Sequence, residues 1–387
     1  MMRAEIIRDF YHTSSPVFVY EKAILEDSAR NVLSIPAPFG LTVRYAMKAN
    51  PYPEILKVFK QVGIEIDASS GFEAEAAIKS GYSGGEILLT SQELPQNLKE
   101  LVSTGVQFNA TSLRQLRVYA EAFPGTEVSV RINPGIGSGH SNRTNVGGQT
   151  SSFGVWHEYI PEVLSICEQS GLTVKRVHTH IGSGSDPEVW QEAIKISLEL
   201  TKSFVHATVL NLGGGFKVAR MPEEKGADML AIGGVLKRQL ENFYDETGRK
   251  LHLELEPGTF LVANAGTLLA RVEDIVDTGT NGYNFIKINS GMHDILRPSL
   301  YGAQHPIEVL NDLLEMVEYV VVGHNCESGD LLTPAPGDPE SLLPRLLNKA
   351  EIGDIVAIGG TGAYCASMSA HGYNGFPSAK EVMFSEN

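Results

Sequence analysis

Up to residue 256, short apolar runs alternate with amphipathic stretches of helical periodicity. The run 41–47 is rich in β-branched and aromatic residues, and residues 50–53, Asn-Pro-Tyr-Pro, cannot continue it, so it predicts a strand that ends in a turn. The intervening stretches, such as 72–80 and 190–203, predict helices. The runs predicted to be strands span residues 43–48, 64–67, 87–90, 106–109, 128–133, 177–181, 209–212 and 252–256.

Eight alternations of strand and helix over residues 16–256 predict a closed parallel (β/α)8 barrel more readily than an open sheet. In such a barrel, the carboxyl ends of all strands meet at one face, where active sites form. A polar residue ends most of the runs, and we expect about half of these residues to be helix caps or turn formers. They are Lys48, Asp67, Asn109, Asn133, His180, Asn211 and Glu256.

After residue 256 the pattern changes to closely spaced strand-like runs separated by glycine, proline and asparagine. This pattern predicts a mostly antiparallel β domain over residues 257–387, which we expect residues 1–15 to join. The runs span 260–265, 268–277, 285–290, 316–322 and 354–358.

A chain of 387 residues is long enough for two domains with real cores. Its 31 basic and 46 acidic side chains give a net charge of −15, which argues against a nucleic-acid partner. Three scattered cysteines are too few for a disulfide framework or a thiolate metal site and favour a reducing cytoplasm. Without a signal-like N-terminus or a long apolar run, we expect neither secretion nor membrane insertion.

Lys48 closes an apolar run and is followed by Asn50-Pro51, which cannot continue a strand. At the mouth of a barrel, apolar walls disfavour the ammonium form of a lysine, and the neutral amine can form a Schiff base with a carbonyl. The alternative is an ordinary solvated lysine, and residues 45–50 alone do not decide between the two.

Three further motifs follow strands predicted on the same face. The glycine triplet 213–215 suits either close approach of the backbone to a phosphate or a tight turn. His178 and His180 face one side of a strand, but no cysteine or carboxylate at ligand spacing supports a metal site, and an imidazole can stack on an aromatic cofactor. Glu256 precedes a sharp turn and either keeps a pyridine nitrogen protonated or forms an ion pair with Lys48.

Together these motifs resemble, in their order, those of the alanine-racemase-like, pyridoxal-phosphate-dependent decarboxylases. The resemblance covers nearly the whole chain and is closest to the diaminopimelate decarboxylase branch. It implies an α/β barrel followed by a β domain, a homodimer with shared active sites, pyridoxal 5'-phosphate as cofactor, and conversion of meso-2,6-diaminopimelate to L-lysine and CO2. The motifs that carry it span 45–50, 178–183, 213–216, 256–258, 297–301, 326–330 and 362–364.

The resemblance also implies roles for individual residues. Lys48 would anchor the cofactor, His180 would stack on its ring, and Glu256 would pair with the pyridinium nitrogen. The remaining cofactor-binding residues would be Asp67, Ser183, Gly213, Gly214, Gly215, Gly258 and Tyr364.

Four more residues are expected to bind the substrate or donate a proton. Arg297 and Tyr301 would hold its distal carboxylate, with Tyr364 nearby, because an arginine fork suits that group. Glu327 would lie near its distal amino group. Cys326 would reach in from the neighbouring subunit and is our first candidate for the acid that reprotonates the carbanion, ahead of Lys48 and water.

Two positions depart from the family pattern. Thr259 stands where the family usually has an arginine after Glu-Pro-Gly, which removes a cation from the expected site. We consider Arg44, Arg131 and Arg143 as candidates to compensate. His324 stands where a proline-containing turn is commoner.

The alternatives differ mainly in substrate. Arg297, Tyr301 and Glu327 favour a substrate with an acid and an amine at its far end, whereas Thr259 leaves ornithine, lysine or carboxynorspermidine open. A racemase is disfavoured because 326–330 resembles the decarboxylase branch. A non-enzymatic pyridoxal-phosphate carrier is disfavoured by the additional β domain.

Overall fold

The computed structural model describes residues 15–135, 148–180 and 186–385. The chain divides into two compact units. The barrel unit comprises Glu26–Val218 and Lys225–Phe260, and the β unit comprises Met1–Leu25, Ala219–Glu224 and Leu261–Asn387.

Strands and helices are numbered in chain order. The strands are β1 Val17–Glu21, β2 Leu41–Ala46, β3 Glu65–Ala68, β4 Ile87–Leu89, β5 Gln107–Ala110, β6 Glu127–Asn133, β7 Val155–Trp156, β8 Thr173–Thr179, β9 Val209–Asn211, β10 His252–Leu255, β11 Gly266–Asp277, β12 Asn284–Ile288, β13 Ile307–Leu310, β14 Met316–Val322, β15 Pro334–Ala335, β16 Asp338–Leu342, β17 Arg345–Asn348, β18 Ile355–Gly359 and β19 Lys380–Phe384. The α-helices are α1 Lys22–Leu33, α2 Pro53–Gln61, α3 Gly71–Lys79, α4 Leu98–Ser103, α5 Leu113–Ala122, α6 Ile160–Ser170, α7 Pro187–Lys202, α8 Met229–Thr247, α9 Thr259–Val262 and α10 Arg297–Tyr301.

The barrel unit is a closed ring of eight parallel strands. The strands pair in the order β2, β3, β4, β5, β6, β8, β9 and β10, and β10 pairs again with β2. The predicted (β/α)8 barrel is therefore confirmed. Several predicted strands end one or two residues too late, because residues that follow the strand, such as Lys48, Thr90 and Glu256, were included in it. Lys48 lies in a short 3-10 turn after β2, and His180 follows the end of β8.

An ionic network fills the barrel interior below the strand ends. The guanidinium of Arg176 donates two hydrogen bonds to the carboxylate of Glu254, at 2.6 and 2.7 Å, and Arg44 donates a third at 3.1 Å. All three side chains are at most 5% exposed. Burial alone would raise the pKa of Glu254, but the two guanidiniums outweigh it and hold that pKa at about 2. Glu254 is thus a buried, fully ionised counterion.

The β unit is a mostly antiparallel sheet, as predicted. Its strands run in the order β13, β18, β11, β12, β14 and β17, while β1 pairs with β11 on one side and β19 on the other. The pairs β1–β19 and β12–β14 are parallel. The strand Val17–Glu21 falls inside the range 16–256 predicted for the barrel, yet it pairs in this sheet, where its first four residues are buried. Most of the segment predicted to join the sheet, residues 1–14, lies outside the described residues.

No helix in the described parts of the chain combines the length and apolar character that a membrane span requires.

We expect Glu254→Gln to lower the free energy of unfolding by about 3–5 kcal/mol, because two buried guanidiniums lose their counterion. The matched control is Glu127→Gln, which breaks an exposed ion pair with Lys175 on another barrel strand. Chemical denaturation of the two variants beside the wild type measures the difference. Equal, small losses for both variants would show that the network does not stabilise the barrel.

Candidate active site

Lys48 lies where predicted, at the carboxyl end of a barrel strand. The 3-10 turn Met47–Ala49 follows β2, with Met47 and Ala49 fully buried and Lys48 exposed. The hydroxyl of Tyr45 donates to the carbonyl of Asn50 at 2.9 Å, and the Asn50 N–H donates to the Met47 carbonyl at 3.0 Å. The turn is therefore held from both ends, and the lysine projects from an apolar base.

Glu256 follows β10 and is a buried acid. Its Oε1 accepts a hydrogen bond from the amide of Asn211 at 2.6 Å, and its Oε2 lies 3.4 Å from Nε2 of His178. Burial, reinforced by the neighbouring carboxylate of Asp67, raises the pKa of Glu256 to about 8. The acid therefore keeps its proton at neutral pH unless a cation faces it.

His180 is a neutral imidazole fixed by the glycine triplet. The Gly214 N–H donates to Nδ1 of His180 at 3.0 Å, which places the ring proton on Nε2. Burial, with the charges of Arg131 and Lys48, lowers the pKa of His180 well below its usual value. The ring is therefore uncharged and held in one orientation.

The first two glycines of the triplet are required by close packing. A Cβ at Gly213 would lie 2.0 Å from Nδ1 of His180, and one at Gly214 would lie 2.2 Å from the carbonyl oxygen of Glu256. The N–H of Gly213 donates to Oδ1 of Asn211 at 2.8 Å, so it and the Gly214 N–H already have acceptors. Among the described residues, Gly215 is the member of the triplet whose N–H has no acceptor. Of the three N–H groups predicted to bind the phosphate, that of Gly215 is therefore the one available in this conformation.

Several buried polar atoms in the barrel unit lack hydrogen-bond partners among the described residues. They include Oδ1 of Asp67, Oδ1 of Asn109 and Nε2 of His178. Leaving such atoms unsatisfied is costly, and in native structures it calls for an explanation such as a bound group. A polar heteroaromatic cofactor carries donors and acceptors for such atoms, and a cationic ring nitrogen would also favour the charged form of Glu256. The residues present fit pyridoxal phosphate.

A metal ion is the competing occupant of this cluster. Ligand atoms of His178, His180 and Glu256 lie within 4.8 Å of one another. However, Nδ1 of His178 lies 2.7 Å from the Asn109 amide nitrogen, and Nδ1 of His180 accepts from Gly214. Each ring thus carries its proton on Nε2 and offers no free lone pair to a metal.

Fewer of the strand-end residues are caps or turn formers than expected. Asn211 accepts from Gly213, and Asn133 accepts from Gly135 at 3.1 Å, which are turn interactions. The capping side chains of the helices are instead separate serines and aspartates in the loops, namely Ser70, Ser112, Asp186 and Asp228. Most of the strand-end residues are consequently available for the site.

In the β unit, helix α10 begins at Arg297 and ends at Tyr301. The Arg297 guanidinium donates from Nη1 to Nε2 of His305 at 2.7 Å, and Nδ1 of His305 donates to the Gly359 carbonyl at 2.9 Å. Burial and the charge of Arg297 keep the pKa of His305 well below its usual value, so the imidazole is neutral. Tyr364 has a φ of 56°, a left-handed conformation that is strained for an aromatic residue.

Cys326 and Glu327 lie in an exposed loop of the β unit. The Cys326 N–H donates to Oδ1 of Asn374 at 2.6 Å. His324, one of the departures from the family pattern, stacks on Phe376 with ring centroids 3.8 Å apart. The imidazole therefore has a packing partner that anchors the start of this loop.

The three arginines considered as replacements for the cation missing at Thr259 lie in different parts of the chain. Arg44 is excluded, because it is buried against Glu254 in the interior network. Arg131 lies beneath the site, 5.1 Å from the ring of Phe153. Arg143 lies outside the described residues, as does the predicted cofactor ligand Ser183.

Sequence reasoning missed Arg220. Its Nε donates to the Gly360 carbonyl at 3.0 Å, and its Nη2 is buried with no hydrogen-bond partner in the part of the chain that the structure describes. The available signal was only an arginine a few residues beyond the glycine triplet.

We expect the carboxyl of Glu256 to titrate near pH 8 in the cofactor-free protein, since burial and Asp67 both disfavour its charged form. Infrared difference spectra of the carboxyl stretching band against pH measure this pKa. Asp67→Asn should lower it, and Glu256→Gln should abolish the titration. A titration at the ordinary value of 4.5 would contradict the assignment.

The same shift fixes the sign of a stability change. Folding raises the pKa of this carboxyl from about 4.5 to about 8. Below about pH 4.5 the group contributes fully to the stability of the folded state, and this contribution is lost as the pH rises from about 4.5 to about 8. The unfolding midpoint of the cofactor-free protein should fall across that window, and less so in Glu256→Gln.

Comparison with known proteins agrees with this site. Residues 26–263 match the model of the pyridoxal-dependent decarboxylases, pyridoxal binding domain. The chain is 35% identical to the diaminopimelate decarboxylase of Streptomyces coelicolor, over 88% of this chain and 79% of that protein, and 32% identical to that of Escherichia coli, over 95% and 88%. The crystal structure of the Helicobacter pylori diaminopimelate decarboxylase complexed with L-lysine superposes with a TM-score of 0.86 at 26% identity, over 98% of this chain and 94% of that one. The chain therefore belongs to the pyridoxal-dependent decarboxylases.

Proposed function

We propose that this protein decarboxylates meso-2,6-diaminopimelate to L-lysine and CO2, with pyridoxal phosphate as its cofactor. The observation that carries the proposal is the buried, proton-holding carboxyl of Glu256, hydrogen-bonded to Asn211 in the same barrel as Lys48 and a neutral His180. The relatives named diaminopimelate decarboxylase, among them a structure complexed with L-lysine, support the choice of substrate.

Bound pyridoxal phosphate supplies an electron sink for the electron pair left when CO2 departs. Lys48 would hold the cofactor covalently through its amine. Glu256, held by Asn211, would face the ring nitrogen and keep it protonated. The imidazole of His180, fixed by Gly214, would lie against the ring.

The remaining residues proposed to contact the cofactor are Asp67, Gly215, Gly258, Tyr364 and Ser183. Within the part of the chain that the structure describes, Oδ1 of Asp67 is buried without a hydrogen-bond partner, and the Gly215 N–H has no acceptor and suits a phosphate oxygen. Gly258 allows the backbone after β10 to pack closely, since a Cβ there would lie 3.3 Å from Ala46 and Ala49. Tyr364 and Ser183 complete the proposed set.

The substrate contacts are proposed in the β unit. Arg297, whose fork is oriented by His305, would bind the distal carboxylate with Tyr301 and Tyr364. Glu327 would bind the distal amino group, and Cys326 would donate the proton that replaces CO2. Because both lie in an exposed loop, we propose that they serve the neighbouring subunit of a homodimer.

A decarboxylase for ornithine, lysine or carboxynorspermidine is the second candidate, and Thr259 at the start of α9 favours it, since the family's usual arginine is missing there. We place either enzyme in the cytoplasm, where its three free cysteines would stay reduced.

We expect purified, cofactor-loaded protein to release CO2 from meso-diaminopimelate with a kcat/KM at least about a hundredfold above that for lysine or ornithine, because those substrates leave Arg297 without a carboxylate. A panel of amino acids assayed for CO2 release provides the measurement. Release from ornithine or lysine alone would reject the substrate and keep the reaction class. No release from any amino acid, by protein that binds the cofactor, would favour a carrier.

We expect Lys48→Ala and Cys326→Ala homodimers each to lose most of their activity, and an exchanged mixture to recover roughly a quarter of the wild-type value. Half of the dimers in an equal mixture are mixed, and each mixed dimer has one intact site of two. Borohydride reduction followed by peptide mass spectrometry should label Lys48 in Cys326→Ala and nothing in Lys48→Ala. Failure of the mixture to recover, with subunit exchange verified by native mass spectrometry, would show that each subunit forms its own complete site.

A further inference from the structure

Arg220 occupies a position that the β unit is shaped to hold. It lies in the segment Ala219–Glu224, and its Nε donates to the Gly360 carbonyl at 3.0 Å. Gly360 has a φ of 65°, and a Cβ there would lie 3.0 Å from the Cγ and Cδ atoms of Arg220. A side chain at position 360 would therefore crowd the aliphatic part of the Arg220 side chain. One edge of the guanidinium is fixed by this contact, and Nη2 is buried without a hydrogen-bond partner among the described residues.

The guanidinium of Arg297 belongs to the same cluster of the β unit. It donates to the neutral His305, which is held by the Gly359 carbonyl, so two consecutive glycine carbonyls anchor the two cationic side chains. Burial and the charge of Arg297 together lower the pKa of Arg220 to about 9. Burial is the larger of these two causes, so the guanidinium of Arg220 is poorly solvated and also lies within range of the charge of Arg297.

The neighbouring groups do not neutralise this charge. The carboxylate of Glu224 accepts the backbone N–H groups of Arg220 and Met221, at 2.7 and 3.2 Å, and not the guanidinium. Burial raises the pKa of Cys365 to about 11, which leaves its thiol uncharged at neutral pH. Within residues 15–135, 148–180 and 186–385, neither guanidinium forms an ion pair.

Two clustered guanidiniums, one with a buried and unpartnered N–H group, are unfavourable without an anion. The flat fork of an arginine binds a carboxylate or phosphate through two parallel hydrogen bonds. His305 and the glycine carbonyls already orient the forks, so an oxyanion would meet prearranged donors.

We propose that Arg220 and Arg297 form one oxyanion site, in which Arg220 is a second specificity-determining residue for the distal carboxylate of the substrate. The identity of the substrate rests on the proposed function. Arg220 lies outside the motifs that identify the family, and it supplies a guanidinium in a chain that has lost the usual one at Thr259.

The test compares Arg220→Gln and Arg220→Lys with Arg249→Gln in the cofactor-loaded enzyme. Arg249 is the matched control, since it also donates to backbone carbonyls, those of Phe204 and Ala207, but lies in the barrel unit. For meso-diaminopimelate we expect Arg220→Gln to raise KM by about 10- to 100-fold with kcat nearly unchanged, and Arg220→Lys to fall between. Arg249→Gln should leave KM unchanged.

A second readout does not depend on turnover. Pimelate has two carboxylates on a chain of the same length as the substrate and no amine. By calorimetry, Arg220→Gln should weaken the binding of pimelate by about the same factor by which it raises KM, and Arg249→Gln should leave that binding unchanged. If wild-type protein releases no CO2 from diaminopimelate, yet its binding of pimelate depends on Arg220, the oxyanion site stands and the proposed substrate falls.

Two results would overturn the proposal. If Arg220→Gln loosens pyridoxal phosphate about tenfold or more in equilibrium dialysis and leaves KM unchanged, the anion is the cofactor's phosphate. If cofactor, substrate and pimelate all bind Arg220→Gln as they bind the wild type, Arg220 has only a packing role.

Discussion

Two buried glutamates, one on the last barrel strand and one directly after it, differ in protonation, and the chemistry of the barrel depends on that difference. Two guanidiniums surround Glu254 and keep it ionised, whereas burial and the neighbouring carboxylate of Asp67 keep the proton on Glu256. The amide of Asn211 donates to both acids, at 3.3 and 2.6 Å. The guanidiniums of Arg44 and Arg176 are therefore hydrogen-bonded to Glu254, and Glu256 keeps its proton until a cation such as a protonated ring nitrogen faces it.

The barrel follows from the sequence because strands buried on both faces read as continuous apolar runs. Lys48, His180 and Glu256 are polar residues that end such runs, so the same pattern predicts their positions at strand ends. The interior ionic layer was not predictable. Arg44 and Arg176 look like ordinary polar positions of half-exposed strands, and only closure of the ring shows that they converge on Glu254.

Contacts between residues distant in sequence account for the other differences. Nothing local distinguishes Val17–Glu21 from a barrel strand, since the assignment depends on which partners flank it. The glycine triplet looks like a phosphate loop, but its first two members are fixed by contacts with His180 and Glu256. Arg220 carries no motif at all, and its position beside Gly360, far along the chain, is a product of folding.

The position of β1 has a consequence for how the chain acquires its structure. This strand lies between β11 and β19, so the sheet of the β unit takes one neighbour from the middle of the chain and another from its last described residues. All eight barrel strands lie within residues 41–255. During synthesis the barrel can thus close before the strand Lys380–Phe384 has been made, and until then one edge of β1 stays without its partner β19.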